Sequence, residues 1–205
     1  MPRALPPEVR DRLLDAADRL LADGGYACMT VESLAREVGI GKGSVYLLFP
    51  SKQEVALAAI DRNADRVYAS LARLAAAPES AARRLHLMLR ARILERFDYA
   101  RGHSGSLDDL LADFRPELLS RRARQFSREA RLFARVLAEG ASRRELLRVP
   151  PRATAEALIT ATNSLLPFSL SATELGHRRT VTARAERLIR LLLAGMTPAG
   201  PLSRR

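Results

Sequence analysis

The sequence predicts an all-α protein of 205 residues, and three observations support that class. Apolar residues recur at spacings of three and four, which is the repeat of one face of an α-helix. Glycine and proline residues separate these periodic segments, as they do between helices. We find no run of alternating β-branched residues long enough for a sheet.

The first four helices follow from their caps and their apolar spacing. Thr30 is a good N-cap for the second helix, and Gly39 ends that helix. Ser51 caps the fourth, where Glu54 at the third helical position completes a capping box. The four helices are expected at about 8–23, 31–38, 42–49 and 51–74.

The later part of the chain continues the helical pattern. Further helices are expected at 79–101, 106–113, 116–139, 151–170 and 180–195. Within 116–139 one stripe is apolar and is expected in the core, comprising Leu119, Ala123, Phe126, Ala130, Phe133 and Leu137. A second stripe consists of arginines, each about 200° around the helix from an apolar position. This placement favours a solvent-exposed arginine face, and a surface that binds an acidic partner stays possible. That second stripe comprises Arg121, Arg124, Arg128, Arg131 and Arg135.

Composition narrows the class of protein. Hydrophobic residues make up 47% and charged residues 28% of the chain, which is typical of a globular protein and excludes wholesale disorder. The single cysteine, Cys28, excludes an intramolecular disulfide framework and a cysteine-rich zinc module. Because no apolar run approaches the length of a membrane span and the N-terminus has no apolar signal segment, we expect a cytoplasmic protein.

The formal net charge of +11 favours a polyanionic partner without locating its binding site. Residues 1–70 contain 9 Lys and Arg against 10 Asp and Glu, so the positive excess lies after residue 70. Local chemistry must therefore decide whether the chain binds a nucleic acid.

The most informative segment joins two short helices by a three-residue turn that contains glycine, between residues 24 and 54. This arrangement matches a helix-turn-helix, whose second helix needs an apolar back and a front that can enter a DNA groove. Val45, Leu48 and Phe49 form the back. Gly43 on the other side has no side chain and would allow a sugar-phosphate strand to approach closely.

Residues 30–54, TVESLAREVGIGKGSVYLLFPSKQE, resemble the DNA-binding domain of TetR-family transcriptional repressors. That signature has a threonine opening the second helix, followed by a run close to GVSKGTLYHYFKSKE. Many positions agree in identity or character, and the match covers about residues 8–60. The resemblance implies a helix-turn-helix DNA-binding domain over 1–52 and a helical effector-binding and dimerisation domain over 53–205.

The resemblance also implies which residues contact DNA. They are Thr30, Gly41, Lys42, Gly43, Ser44, Tyr46, Leu47 and Lys52. Leu47 and Leu48 fall where the family often has His or Tyr; a leucine can contact a thymine methyl group but offers no hydrogen bond. Gly41 replaces the family's usual serine cap, so phosphate contacts and DNA shape are expected to contribute more than base contacts.

A small-molecule pocket and a dimer interface are implied for the C-terminal helices. The candidate pocket residues are His86, Leu89, Ile93, Phe97, Phe114, Phe126, Phe133, Asn163 and Phe168. Their apolar character fits a small hydrophobic effector. Helices 151–170 and 180–195 would pair with their copies, and the stripe Val181, Ala185, Leu188, Leu192 and Gly195 fits that packing or packing inside one chain.

Other motifs carry little weight. Residues 39–44 look like a phosphate loop, but that loop needs Gly-Lys followed directly by Ser or Thr after a strand. Asp108, Asp109 and Asp113 are expected on a solvated surface, and the three histidines do not form ligand pairs. We therefore expect no catalytic residue, metal or cofactor, and no enzyme.

The resemblance thus implies a homodimeric, ligand-responsive repressor that binds a near-palindromic operator on double-stranded DNA. Helix 51–74 connects the two domains and is expected to transmit the response. Two further classes of protein stay open. One is a helical binding protein or enzyme for a hydrophobic molecule that keeps the motif, and the second is an interaction module whose arginine-rich surface binds an acidic protein or a membrane.

Overall fold

In the computed structural model, which describes residues 6–103, 114–166 and 176–197, the chain forms eight helices and no strand within those ranges. The predicted all-α class is therefore confirmed. The helices are α1 (Pro7–Cys28), α2 (Val31–Val38), α3 (Lys42–Leu48), α4 (Lys52–Ala75), α5 (Ala81–Gly102), α6 (Arg115–Ser142), α7 (Pro151–Asn163) and α8 (Arg178–Ala194). The helix predicted at 106–113 lies outside the described residues. The helix predicted at 151–170 ends at Asn163, earlier than predicted, and residues 167–170 lie outside the described residues.

Helix α1 runs past its predicted end at residue 23 to Cys28, with a break at Gly25. There φ is 77° and ψ is 178°, a conformation that glycine adopts without steric cost. A Cβ on Gly24 would lie 2.7 Å from Cβ of Cys28, so this position also excludes a side chain. The glycine pair therefore bends the chain instead of ending the helix.

The described residues divide into two compact units. Residues 6–65, 99–103 and 114–121 form unit 1, and residues 66–98, 122–166 and 176–197 form unit 2. The first division falls between residues 65 and 66, inside α4. The functional boundary between residues 52 and 53 remains a proposal.

Unit 1 buries one apolar face from each of its first helices. Leu13 of α1, Leu34 of α2, Val45 of α3 and Leu57 of α4 are at most 1% exposed. Arg12 of α1 also donates to the main-chain oxygen of Val38, one of the carbonyls at the C-terminal end of α2 that have no partner within the helix. This packing fixes α2 and α3 against α1.

Unit 2 has a separate apolar core drawn from α5, α6, α7, α8 and the part of α4 that follows residue 65. Leu89, Phe97, Phe133 and Ile189 are fully buried within it. Burying such side chains stabilises a fold by about 1.5–3 kcal/mol each.

The N-terminal part of α6 departs from the predicted stripe. Leu119 is 40% exposed and Ala123 is exposed, while Leu118, one residue and 100° away, packs in the unit 1 core. Arg121 is not free in solvent either, because it binds the carboxylates of Glu54 and Asp61. From Ala130 onward the predicted stripe is buried.

In α8 the buried stripe is Val181, Ala185, Ile189 and Leu193. Leu188 and Leu192 of the predicted seam are only partly buried, and Leu191 is 75% exposed. Val181 and Ala185 therefore pack inside one chain. None of the described helices combines the length and the hydropathy that a membrane crossing requires.

Candidate nucleic-acid interface

A left-handed glycine makes the turn between α2 and α3. Gly39 has φ 74° and ψ 38°, which an L side chain would strain. Its N–H donates to the Arg36 oxygen at 3.3 Å, and the N–H of Ile40 donates to the Ala35 oxygen at 2.9 Å. These bonds end α2 and set the direction of α3, so the predicted role of Gly39 is confirmed.

The N-terminus of α2 is closed by a reciprocal capping box. The Thr30 hydroxyl oxygen accepts from the Ser33 N–H at 3.0 Å, and the Ser33 hydroxyl oxygen accepts from the Thr30 N–H at 2.9 Å. Thr30 is half-buried, and its side chain is thereby held at a helix end, where the partial positive charge of the helix favours an anion. The predicted N-cap is therefore confirmed, and the predicted DNA contact of Thr30 stays a prediction.

Helix α3 has a sealed back and an open front. Val45 and Phe49 are 1% and 4% exposed, and Leu48 is partly buried against the same core. On the other side Tyr46 is 54% exposed and Leu47 is 67% exposed. The predicted orientation of α3, with its apolar side toward the core, is therefore confirmed. Large side chains that are exposed to solvent on a helix held in place are available to a partner.

Two glycines on the open front are not needed by the fold. A Cβ at Gly41 or Gly43 would meet no atom within 4 Å, and neither residue has a positive φ. Glycine inside a helix costs about 0.5–1 kcal/mol relative to alanine. Gly41 is the N-cap of α3, so this cost applies to Gly43 inside the helix, and no contact in the described part of the chain accounts for it.

Lys42, the first residue of α3, is paired across the turn. Its ammonium binds the Glu32 carboxylate of α2, and both side chains are 59% exposed. The hydrogen bond from Lys42 is the main cause that holds the pKa of Glu32 below its ordinary value of 4.5. A phosphate that approaches Lys42 must therefore compete with, or share, this carboxylate.

Lys52 is held more firmly than an exposed phosphate-binding side chain would be. It is half-buried, its Nζ donates to the Tyr26 main-chain oxygen at 2.9 Å, and it lies 4.2 Å from the Tyr26 ring centroid. Lys52 therefore has a structural role besides its predicted contact with DNA. The ammonium has three donors, and these contacts position it at the first residue of α4.

The cap of α4 forms only in part as predicted. The Glu54 N–H donates to the Ser51 hydroxyl oxygen at 3.2 Å. The Glu54 carboxylate instead accepts from Arg121 at 3.0 Å. The start of α4 is therefore fixed by the serine and by an ion pair with α6.

The candidate effector residues fall into different surroundings. Leu89, Ile93, Phe97 and Phe133 are fully buried in the unit 2 core. His86 lies 3.1 Å from a carboxylate oxygen of Glu186 on α8. The structure thus brings the four apolar candidates together and places His86 beside the Glu186 carboxylate.

The remaining candidates do not form one group. Phe114 belongs to unit 1, where its ring packs edge-on against Tyr26 with centroids 5.4 Å apart. Phe126 and Asn163 both contact Arg92 in unit 2, and Phe168 lies outside the described residues. Phe114 is therefore packed apart from the candidates that line the unit 2 core.

Sequence reasoning missed the polar part of that core. Arg92, Arg96, Glu129 and Thr162 are all at most 5% exposed. The available signal was periodicity, because Arg92 and Arg96 continue the buried series of Leu85, Met88 and Leu89 on α5. The part of the chain that the structure describes contains no group of three His, Cys, Asp or Glu side chains suited to a metal ion.

Comparisons of the sequence and of the fold with known proteins both find transcriptional regulators. Residues 13–59 match the family model for bacterial regulatory proteins of the tetR family. The HTH-type transcriptional repressor KstR of Mycolicibacterium smegmatis is 32% identical over 82 residues, 40% of each chain. The chain thus spans about two fifths of the length of this curated relative.

Two solved structures share the fold over nearly the whole chain. A transcriptional regulator from Cytophaga hutchinsonii superposes with a TM-score of 0.79 at 19% identity, over 92% of this chain and 98% of that one. A TetR/AcrR-family regulator from Thermobifida fusca gives 0.70 at 24% identity, over 97% and 100%. At these identities the likeness concerns the fold.

Proposed function

We propose, from the match of residues 13–59 to the tetR family model, that the chain is a tetR-type regulator and acts as a homodimeric, ligand-responsive repressor of transcription. Two copies of α3 bind the major groove at the two halves of a near-palindromic operator. A small, hydrophobic effector bound in unit 2 favours a dimer whose α3 helices have the wrong separation and so releases the DNA. The protein acts in the cytoplasm and is not an enzyme.

The observation that supports DNA binding most strongly is the two-sided character of α3. The apolar residues on its inner side are buried in the core of unit 1. On its outer side Tyr46 and Leu47 are exposed, and Gly43 has no side chain to fill the space around it. A phenol can donate to a phosphate, a leucine can contact a thymine methyl group, and bare backbone allows close approach. A packed three-helix unit with no partner needs none of these features.

Dimerisation is supported by the outer surfaces of α7 and α8. Leu191 of α8 is 75% exposed, and Leu188 and Leu192 beside it are only partly buried. Ala153 and Ala157 on α7 are also exposed and small, which allows close helix approach. An exposed apolar surface of this kind is typical of an interface between subunits.

Selection from a random pool of duplex DNA by the full-length protein tests the proposal. We expect recovery of one near-palindromic site whose half-sites are centred about one helical turn or slightly more apart. Recovery of no sequence, and no binding to any duplex at low ionic strength, would reject the regulator. Tight binding of a hydrophobic molecule without an operator would instead favour a binding protein or enzyme.

A further inference from the structure

The imidazole of His103 lies between the end of α5 and the middle of α1. His103 directly follows the last residue of α5, belongs to unit 1 together with α1, and has a side chain that is 12% exposed. Its Nδ1 lies 2.8 Å from the main-chain oxygen of Tyr99, and its Nε2 lies 3.2 Å from the main-chain oxygen of Asp18. The two ring nitrogens therefore face one carbonyl oxygen each.

Two carbonyl oxygens suit this ring only when it is protonated. A carbonyl oxygen accepts a hydrogen bond and cannot donate one, whereas a neutral imidazole has one N–H and one nitrogen lone pair. In the neutral ring, one of the two nitrogens would therefore point its lone pair at an oxygen. The imidazolium donates from both nitrogens, and hydrogen bonds from a charged donor are about twice as strong as neutral ones.

The side chains of Tyr99 and Asp18 also favour a positive charge on the ring. The Tyr99 ring stacks on the imidazole with centroids 4.1 Å apart and an angle of 24° between the planes, and the face of an aromatic ring attracts a cation. The Tyr99 hydroxyl donates to Oδ1 of Asp18 at 3.0 Å, and this carboxylate oxygen lies 3.7 Å from Nε2 of His103. Tyr99 and Asp18 thus contact both the ring and each other.

Arg62 of α4 acts in the opposite direction. Its Nη2 lies 3.4 Å from Oδ2 of Asp18, and its Nη1 lies 2.8 Å from Oδ1 of Asp15. The guanidinium thus contacts the carboxylate oxygen of Asp18 that points away from His103, and its charge repels a protonated imidazole. The preference for the protonated ring therefore comes from the two carbonyl oxygens and not from the net charge around it.

We propose that His103 is a pH-dependent clasp that ties the end of α5 to α1. The protonated ring donates to both carbonyl oxygens. When Nε2 loses its proton to solvent, the ring keeps the shorter, local bond from Nδ1 to the Tyr99 oxygen, and its bond to the Asp18 oxygen is lost. Histidine ordinarily changes its charge between pH 5 and 8. This inference goes beyond the proposed function, because it concerns the free protein and needs no DNA.

The clasp stabilises unit 1 at low pH and not at high pH. The hydrogen bond to Asp18 exists only while Nε2 carries a proton, so its contribution is present at pH 5.5 and is lost as the pH rises to 8. Leu13 of α1 packs with Leu34 of α2 and Val45 of α3 in one core. The proton therefore acts on the helix that supports the helix-turn-helix.

NMR of the full-length protein without DNA tests the clasp. At pH 5.5 both ring nitrogens of His103 should show the chemical shifts of an imidazolium, and at pH 8 those of a neutral ring with its proton on Nδ1. The amides at the end of α5, including that of His103, which donates to the Ala100 oxygen at 3.1 Å, should lose protection from hydrogen exchange by about threefold or more over this range, after correction for intrinsic rates. A neutral ring at pH 5.5, or protection that does not fall, would overturn the proposal.

Two variants show whether His103 itself is responsible. His103→Gln has no group that titrates in this range, so the protection of the same amides should not change between pH 5.5 and 8. His86→Gln is the matched control, because it removes another half-buried histidine, which lies beside Glu186 in unit 2, and it should keep the pH dependence. An unchanged pH dependence in His103→Gln, or its loss in His86→Gln, would assign the effect to another group and overturn the proposal. If His103→Gln does not fold, the ring-nitrogen shifts of the unmodified protein still decide.

Discussion

The ammonium of Lys52 donates to the main-chain oxygen of Tyr26 at 2.9 Å and lies 4.2 Å from the centroid of the same residue's ring. One cation thus joins the start of α4 to the bend near the end of α1, and it is also a proposed phosphate contact. Any change at this position therefore has both a structural and a DNA-binding consequence, which must be measured separately.

Lys52→Met should lower the free energy of unfolding by about 1 kcal/mol, because the Tyr26 oxygen loses a charged donor while the aliphatic stem remains. The same change should weaken binding to every DNA sequence alike and reduce the slope of log affinity against log salt by about one. Chemical denaturation and salt titration measure the two effects. Lys52→Arg is the matched control, since it keeps the charge. A lower stability with an unchanged salt slope would make Lys52 purely structural.

Gly43→Ala should make the protein more stable and a poorer DNA binder. A Cβ at this position meets no atom within 4 Å, so the gain in helix propensity, about 0.5–1 kcal/mol, is not offset inside the protein. The added methyl group would lie where the sugar-phosphate strand approaches. Melting and operator titration should move in opposite directions. Gly102→Ala, also unhindered and within helix α5, should leave operator affinity unchanged. Full affinity in Gly43→Ala would show that DNA does not approach this backbone closely.

The two exposed side chains of α3 should affect DNA recognition differently. Tyr46→Phe removes one hydroxyl from a side chain that is 54% exposed, so stability should change by less than about 0.5 kcal/mol while all sequences bind more weakly. Leu47→Ala should instead alter the preference at one base pair of each half-site. Replacing the contacted thymine by deoxyuridine, which lacks the methyl group, should weaken the unmodified protein about fourfold. The Leu47→Ala variant should bind the deoxyuridine operator as tightly as it binds the thymine operator. A fourfold loss of affinity in that variant would exclude the contact between the leucine and the methyl group.

The helix-turn-helix could be predicted from the sequence because its determinants are local. Thr30 caps through a residue three positions away, and Gly39 ends α2 through its own backbone conformation. The apolar back of α3 follows from helical spacing over five residues. The predicted end of α1 at residue 23 is wrong, because a glycine pair is compatible either with a helix end or with a bend such as the one at Gly25.

The polar core of unit 2 could not be predicted in the same way. The partners of Arg92 lie far along the chain: Glu129 follows it by 37 residues and Thr162 by 70 residues. In addition, arginine is seldom buried unless it is paired, so its burial is not expected from the sequence. The exposure of Leu119 has a similar origin, because the buried contact at that turn is made by Leu118 in unit 1. Spacing alone cannot decide which of two adjacent leucines faces a core that other helices build. The partner of Lys52, 26 residues earlier, is another long-range contact of this kind.

Glu32 should restrain DNA binding through its ion pair with Lys42. Both side chains are 59% exposed, so the pair contributes little to stability, but its carboxylate neutralises a cation at the start of α3. Glu32→Gln should therefore raise the affinity for all duplexes by a few-fold at low salt, and less as salt screens the charge.

The effect of pH on this comparison has a defined sign. The hydrogen bond from Lys42 lowers the pKa of Glu32 in the folded protein, so the carboxylate is ionised throughout the neutral range and the advantage of Glu32→Gln should be constant there. The advantage should disappear only as the pH falls through that lowered pKa, where Glu32 itself becomes neutral. Glu37→Gln is the matched control: it removes the same charge from the same helix, but its carboxylate pairs with Arg19 at 2.7 Å. An equal gain in both variants would mean that net charge alone, and not the release of Lys42, strengthens binding.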